Sequence, residues 1–253
     1  MRMHVILTVL SMMLATLSPA FADTPDAAAI IEASFNHYRG KASISDVEMV
    51  IHRPSWERTM RMDAWTKGTD KSLIRITAPP KDEGNGTLKK GSEMWTYNPK
   101  VNRVIKLPPA LMSQSWMGSD FSNNDLAKSD TILNDYTHTL MRTETREGHT
   151  VYVIKSMPKP AAPVVWGMQI LEIRDDDILL SEEFFDEDLV SVKKMTTREI
   201  QMMGGRLFPK VWQMQETDKQ DQFTLLRYHA LAFKDDLPER LFTLSALKTQ
   251  QRR

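Results

Sequence analysis

The sequence predicts a mainly β protein built on a large antiparallel sheet or barrel, and three observations carry that expectation. Apolar and polar residues alternate with a period of two through most of the chain. Strand-like segments follow one another at intervals of roughly ten residues. Turn-forming clusters such as Asp82-Glu83-Gly84-Asn85-Gly86-Thr87 stand between them.

The chain opens MRMHVILTVLSMMLATLSPAFADTP, with one basic residue, an apolar run from Val5 to Leu17, and Ala20-Phe21-Ala22 ahead of Asp23. This pattern is that of a secretory signal peptide cleaved after Ala22. The run falls short of the about 20 apolar residues a membrane-spanning helix needs, and no later segment approaches that length. Residues 23–253 are accordingly expected to form one soluble, exported domain, a length that a single β barrel or sandwich can occupy. Basic and acidic residues balance at 33 each, which argues against a nucleic-acid partner. Cysteine is absent, so the fold must be held by burial rather than disulfides, and no lipidated N-terminal cysteine can anchor it.

Thr24-Pro25-Asp26 reads as a helix start, with a hydroxyl cap, proline in the first turn and an acid beside it. Ile30, Ile31, Ser34, Phe35 and Tyr38 then recur at helical spacing up to Gly40. From Ile44 the period becomes two. Val47, Met49 and Ile51 alternate with Glu48, Val50 and His52, and Met60, Met62 and Ala64 alternate with Arg61, Asp63 and Trp65. KSLIRITAP continues the pattern, and GSEMWTYNPKVNRVIKLPP forms a hairpin turning at Asn98-Pro99. The alternation is lost over PPALMSQSWMGSDFSNNDLAKSD. There Leu111, Met112, Ser115 and Trp116 share a helical face, so a short helix, a loop and a second short helix at Asn124 to Lys128 are expected. Strands resume in DYTHTLMRTE, TVYVIKSM, WGMQILEIR, LLSEEFFDE, VSVKKMTTREIQM, LFPKVWQMQETD and QFTLLRYHALAF. The proline-rich MPKPAAPVVWG among them cannot be a central strand.

No zinc, phosphate-loop, nucleophile-elbow or dinucleotide motif is present. The histidines are scattered without metal-ligand spacing. Asp175, Asp176 and Asp177 lack the spacing of a calcium loop and read as a solvated turn. Asp120, Asn123, Asn124 and Asp125 suit helix capping. The chain is thus expected to have no catalytic residues, no metal and no cofactor. Its unusual feature is soft apolar content, 17 methionines and six tryptophans, suited to a surface that fits varied apolar ligands.

GSEMWTYNP resembles the Gly-x-x-x-Trp-x-Tyr-Asn-Pro hairpin of LolA, the periplasmic lipoprotein carrier, with IRITAPP similar to the strand before it. The run ITAPPKDEGNGTLKKGSEMWTYNPKVNRVIKLPPALMSQSWMGSDFSNNDL is closer still to the LolA-like family of outer membrane lipoprotein-sorting proteins. DYTH, PKPAAPVVWG and LFTLSALK extend the likeness over most of the mature chain. The resemblance implies an incomplete antiparallel barrel wrapped around short α-helices and an apolar cavity. It also implies a periplasmic carrier of acylated lipoproteins or lipids, working with an inner-membrane transporter and an outer-membrane acceptor. The candidate cavity residues are Met60, Met62, Ile74, Ile76, Trp95 and Tyr97 from strands and Leu111, Met112, Trp116 and Met117 from the lid. The arginine that helps close the lid in LolA lies in an Arg-Pro context just before the strand; here the corresponding stretch reads AWTKGTDKS, so that closing mechanism is not carried over. A sensor or adaptor using the same half-barrel is the alternative reading.

Overall fold

The computed structural model describes residues 25–249. The expected signal peptide, its cleavage site and Thr24 lie outside the described residues.

The opening helix, α1, spans Ala27–Arg39. Its cap is Asp26, whose carboxylate accepts the Ala28 N–H at 2.9 Å, so the expected hydroxyl cap two residues earlier is replaced by the acid. Gly40 ends it at φ 65°, returning its N–H to the Asn36 carbonyl. The helix buries Ala27, Ile31, Ser34 and Phe35.

Thirteen strands follow: β1 Ala42–Arg53, β2 Trp56–Lys67, β3 Lys71–Ala78, β4 Gly86–Lys90, β5 Glu93–Asn98, β6 Arg103–Lys106, β7 Tyr136–Arg146, β8 His149–Pro158, β9 Met168–Arg174, β10 Leu179–Phe185, β11 Ser191–Met203, β12 Arg206–Glu216 and β13 Phe223–Lys234. Every segment with the period-two pattern forms a strand, because each has one face to bury and one to leave wet or half-covered. Between β6 and β7 lie a 3-10 turn at Pro109–Leu111 and two short helices, α2 Asn123–Ala127 and α3 Thr131–Asn134. A second 3-10 turn, Glu239–Leu241, and α4, Leu244–Lys248, close the described chain.

All strands join one antiparallel sheet in the order β6-β5-β4-β3-β2-β1-β13-β12-β11-β10-β9-β8-β7. Neighbours in sequence pair as hairpins, except that β1 pairs with β13 across the middle. The sheet does not close, and its free edges are β6 and β7. Those two strands are consecutive in the chain yet lie at opposite edges. The intervening 29 residues, 107–135, must therefore cross from one edge to the other.

The inner face carries two contiguous apolar clusters. One groups Val47, Met49, Ile51, Met60, Met62, Ile76 and Met94 with Trp116. The other groups α1 with Ile154, Leu171, Phe184, Met195, Phe208 and Trp212 of the later strands. The outer face of the first strands buries Ala42, Leu73 and Leu88 beneath the C-terminal segment, through Leu237, Leu241, Phe242 and Leu247. Gly86 permits that approach, since a Cβ there would stand 2.6 Å from Leu247 Cδ1. The Arg75 guanidinium donates to the Ala246 carbonyl at 2.5 Å and fastens the end of α4.

The crossing segment departs from the expected helix–loop–helix in its first half. Only one 3-10 turn forms, because Met117 (φ 55°) and Gly118 (φ 79°) adopt left-handed backbone and reverse the chain. The reversal lets the Trp116 N–H reach the Phe121 carbonyl at 2.7 Å. The second half forms as α2, opened by a reciprocal capping box between Ser122 and Asp125.

Phe242 is 1% exposed at the centre of the outer cluster. Phe242→Ala is expected to lower the urea-unfolding free energy by about 3–5 kcal/mol. A loss below about 1 kcal/mol would show that the C-terminal segment is dispensable to the sheet.

Candidate ligand cavity and its cover

The inner face is too broad for its own side chains to fill. A cavity of about 300 Å³ remains between the two apolar clusters, at the lower end of ligand sites of about 300–1,000 Å³. Val47, Met62 and Ile74 border it from the first strands, and Phe184, Met195, Trp212 and Leu226 from the later ones. Trp116, Phe121, Leu126 and Ile132 of the crossing segment form its cover.

Polar contacts hold the cover. Arg53, followed by Pro54 in the β1–β2 turn, grips Asp120 with both guanidinium nitrogens, Nη1 to Oδ2 at 3.1 Å and Nη2 to Oδ1 at 3.0 Å. The Asp120 side chain is 2% exposed, and its Oδ2 also accepts the Thr224 hydroxyl of β13 at 2.6 Å. The Trp116 indole N–H donates to Thr87 Oγ1 of β4 at 3.0 Å. Lys89 of β4 holds Asp130, Lys193 of β11 holds Asp125, and Lys128 reaches the Pro163 carbonyl. The cover is thus tied to both halves of the sheet.

The cavity wall is not wholly apolar: Ser43, Ser45, Thr66 and Ser72 border it from the first strands, and a second polar group gathers around β10. There Glu182 of β10 borders the cavity together with Gln169, Asp125, Tyr38 and Tyr136. Burial pushes the Glu182 carboxyl up to about 8, the Asp125 carboxylate adds to the rise and the Lys193 ammonium opposes it. Burial likewise pushes the phenol of Tyr228 up to about 12, raises that of Tyr38, and lowers the Arg39 guanidinium.

Comparison with known proteins agrees with this geometry. A family model described as "-like: Uncharacterized protein" matches residues 68–249. The chain belongs to that family, and its fold is LolA-like. Three solved structures share it. A domain named for outer membrane lipoprotein sorting, from Vibrio parahaemolyticus, is 21% identical with a TM-score of 0.77, over 88% of this chain and 98% of that one. A DUF1329 family protein from Desulfovibrio piger is 22% identical with a TM-score of 0.78, over 87% and 97%. A LolA superfamily protein from Nitrosomonas europaea is 22% identical with a TM-score of 0.73, over 88% and 100%. No curated protein matches by sequence.

In this LolA-like frame the candidate residues separate into three groups. Met62, Ile74 and Trp116 border the cavity. Met60, Ile76, Met112 and Met117 pack in the apolar cluster beside it, while Leu111 is half-buried and its carbonyl accepts the Asn123 amide at 2.9 Å. Trp95 and Tyr97 lie on the outer face, packed against the C-terminal cluster. Their strand pairs Trp95 with Leu88 and Tyr97 with Gly86, so Met94 is the residue that turns inward. Parity moved the aromatics by one position. Arg53, the last residue of β1, stands before Pro54 in the β1–β2 turn and binds the cover through Asp120.

Glu182 and the Arg53–Asp120 pair were not singled out in the sequence. A signal for Glu182 existed: it alternates onto the face of Phe184, an acid on an otherwise apolar side. Elsewhere, His149, Asp175 and Asp176 place ligand atoms within 4.8 Å of one another at the β9–β10 turn, the group that could hold a metal among the described residues. Both acids there are already engaged, by Thr150 and Arg174.

Removing the carboxylate that neutralises Arg53 should loosen the cover before the sheet. Asp120→Ala is expected to speed amide exchange across 107–135 by about tenfold or more, equivalent to ~1.4 kcal/mol, with β8 to β10 unchanged. Uniform protection in both proteins would contradict the latch.

Glu182 also links stability to pH. The unfolded chain ionises this group near its ordinary 4.5, while the folded ligand-free protein keeps the proton to about 8. Its contribution to stability is therefore full below pH 4.5 and falls by about 1.4 kcal/mol per pH unit up to about 8. Glu182→Gln should be more stable than wild type at pH 9 in urea titrations, with the difference closing by pH 4.5. A pH-independent difference would contradict the burial of this carboxyl.

Proposed function

We propose that residues 23–253 act as a single-domain periplasmic carrier. It encloses the acyl chain of a lipid or lipidated protein and passes it from an inner-membrane donor to an outer-membrane acceptor. The observation that carries this reading is an apolar cavity beneath a crossing segment that packs Trp116, Phe121 and Ile132 onto the inner face and is pinned there by polar contacts. The signal-peptide pattern and the LolA-like fold support it, and no helix among the described residues is long and apolar enough to cross a membrane.

Water makes such a carrier necessary. Each buried methylene is worth about 0.8 kcal/mol, so a long acyl chain in water costs on the order of 10 kcal/mol. A cavity walled by Met62, Ile74, Trp116 and Met195 offsets that cost. Flexible methionine side chains adapt to chains of different length and saturation. Release then requires only that the cover be drawn aside, and ion pairs open to a competing partner or to water more readily than an interlocked core.

Transport needs no chemistry, and we read the protein as a non-enzyme. One serine–histidine contact occurs, His138 Nδ1 with Ser156 Oγ at 2.9 Å. Ser156 is fully buried, with 0% exposure, and cannot meet a substrate.

Trp116 joins the cover to the cavity. Delipidated wild-type protein is expected to take up a fluorescent fatty-acyl probe saturably, and Trp116→Ala to bind it more weakly while its strand circular-dichroism spectrum persists. Failure of the wild type to take up any probe would sink the carrier reading. Equal binding by the variant would remove Trp116 from the site.

A further inference from the structure

The polar group around β10 has an asymmetry in its hydrogen bonding. Gln169, 4% exposed, leaves its Oε1 without a partner. Asp125, its side chain 7% exposed, has one oxygen engaged by Lys193 and Ser122 but leaves Oδ1 unpaired. Glu182 accepts no hydrogen bond and joins no ion pair among the described residues. The nearby cations, by contrast, are occupied. Lys193 is bound to Asp125 and lies over the rings of Trp166 at 4.9 Å and Phe184 at 5.6 Å. Arg39 donates to the carbonyls of Gly68 at 2.9 Å and Lys71 at 3.0 Å. The buried acceptors Gln169 Oε1 and Asp125 Oδ1 are therefore left over, while the lysine and arginine beside them each have partners. An unpaired buried acceptor costs about 1–3 kcal/mol, which a ligand carrying donors would recover.

We propose that this part of the cavity seats the amine-bearing head of an amphiphile whose apolar chain fills the rest, recognised by Glu182, Gln169 and Asp125. The inference rests on the carrier reading above and names its ligand class. An ammonium supplies several donors and the positive charge that two carboxyl groups favour. Tyr38, Tyr136 and Trp166 surround the site with aromatic surface, which also favours a cation. A carboxylate head could take the Glu182 O–H but would be repelled by the Asp125 carboxylate and leave Gln169 Oε1 and Asp125 Oδ1 unpaired, and a hydroxyl head would satisfy one of the three.

Seating an ammonium draws Glu182 into its ionised form, because an adjacent positive charge lowers a carboxyl pKa. The ligand-free carboxyl titrates at about 8, so binding at neutral pH releases a proton to solvent. Other titratable or charged groups facing this part of the cavity are Tyr38 and Arg39 of α1, Asp125, Lys128 and Asp130 of the crossing segment, Tyr136 of β7, Lys193 of β11 and Tyr228 of β13. Those phenols, pushed to about 12 or beyond, stay neutral through this range. Affinity for an amine is therefore expected to rise with pH, by up to about tenfold per unit, as pH approaches 8.

The test uses the delipidated mature chain and three probes of one chain length, dodecylamine, dodecanol and dodecanoate, by calorimetry below their micelle concentrations. The expected order of affinity at pH 7.5 is amine, then alcohol, then carboxylate, with a gap of about tenfold or more between amine and carboxylate. Glu182→Gln should bring the amine down to the affinity of the alcohol and remove the rise with pH. Equal binding of all three, tighter binding of the carboxylate, or an amine preference that survives in Glu182→Gln would overturn this proposal and leave the carrier reading standing. Binding of none of them would overturn both.

Discussion

The chain leaves its open sheet at one edge strand, β6, and resumes at the other, β7, and most of what is distinctive about the molecule follows from that constraint. With β6 and β7 at opposite edges, the 107–135 segment has no course except across the inner face. A segment so placed must bury apolar groups on the side it covers. Trp116, Phe121 and Leu126 do so. It must also be fastened at points far apart in sequence. Arg53 with Asp120 and Thr224 fastens it near the β1–β2 turn, Lys89 with Asp130 towards β4, and Lys193 with Asp125 towards β11. Breaking buried pairs one partner at a time is costly, whereas their net contribution against water is small. Such fastening keeps a cover in one place without making its opening prohibitive.

The space beneath the cover persists for a related reason. Helix α1 fills the later half of the curled sheet with Ile31 and Phe35. The early strands contribute methionines, of which Met62 borders the cavity while Met49, Met60 and Met94 are buried in the cluster beside it. What remains is a hollow bordered by apolar side chains and by an acceptor-rich group around Glu182. A carboxyl kept protonated by burial is left unpaired at a cost while the cavity is empty and becomes a strong partner once a cation arrives. The outer face has no such vacancy, because Phe242 and Leu247 seal it.

Strand positions were legible in the sequence because period two survives wherever one face is buried. The strands carrying Val47-Met49-Ile51 and Met60-Met62 were read on the correct faces for the same reason. Parity failed at β5, where both faces are covered. Trp95 and Tyr97 pack outside while Met94 packs inside, so neither alternation is polar enough to mark the outer side. Helical periodicity misled at Leu111 to Trp116, where two left-handed residues replace a helix with a reversal. The contacts between Arg53 and Asp120, and the gathering of Glu182, Gln169 and Asp125, join residues far apart in the chain. Pairings of that kind are set by the β1–β13 and lid geometry rather than by local spacing.

The most direct test of the central claim, that the covered hollow holds an acyl chain, is native mass spectrometry of the protein isolated from its own cells without detergent. The account predicts a population heavier than the mature chain by one acyl-bearing molecule, released on denaturation and identifiable in an organic extract. A single species at the bare chain mass, with no acyl compound in the extract, would contradict it.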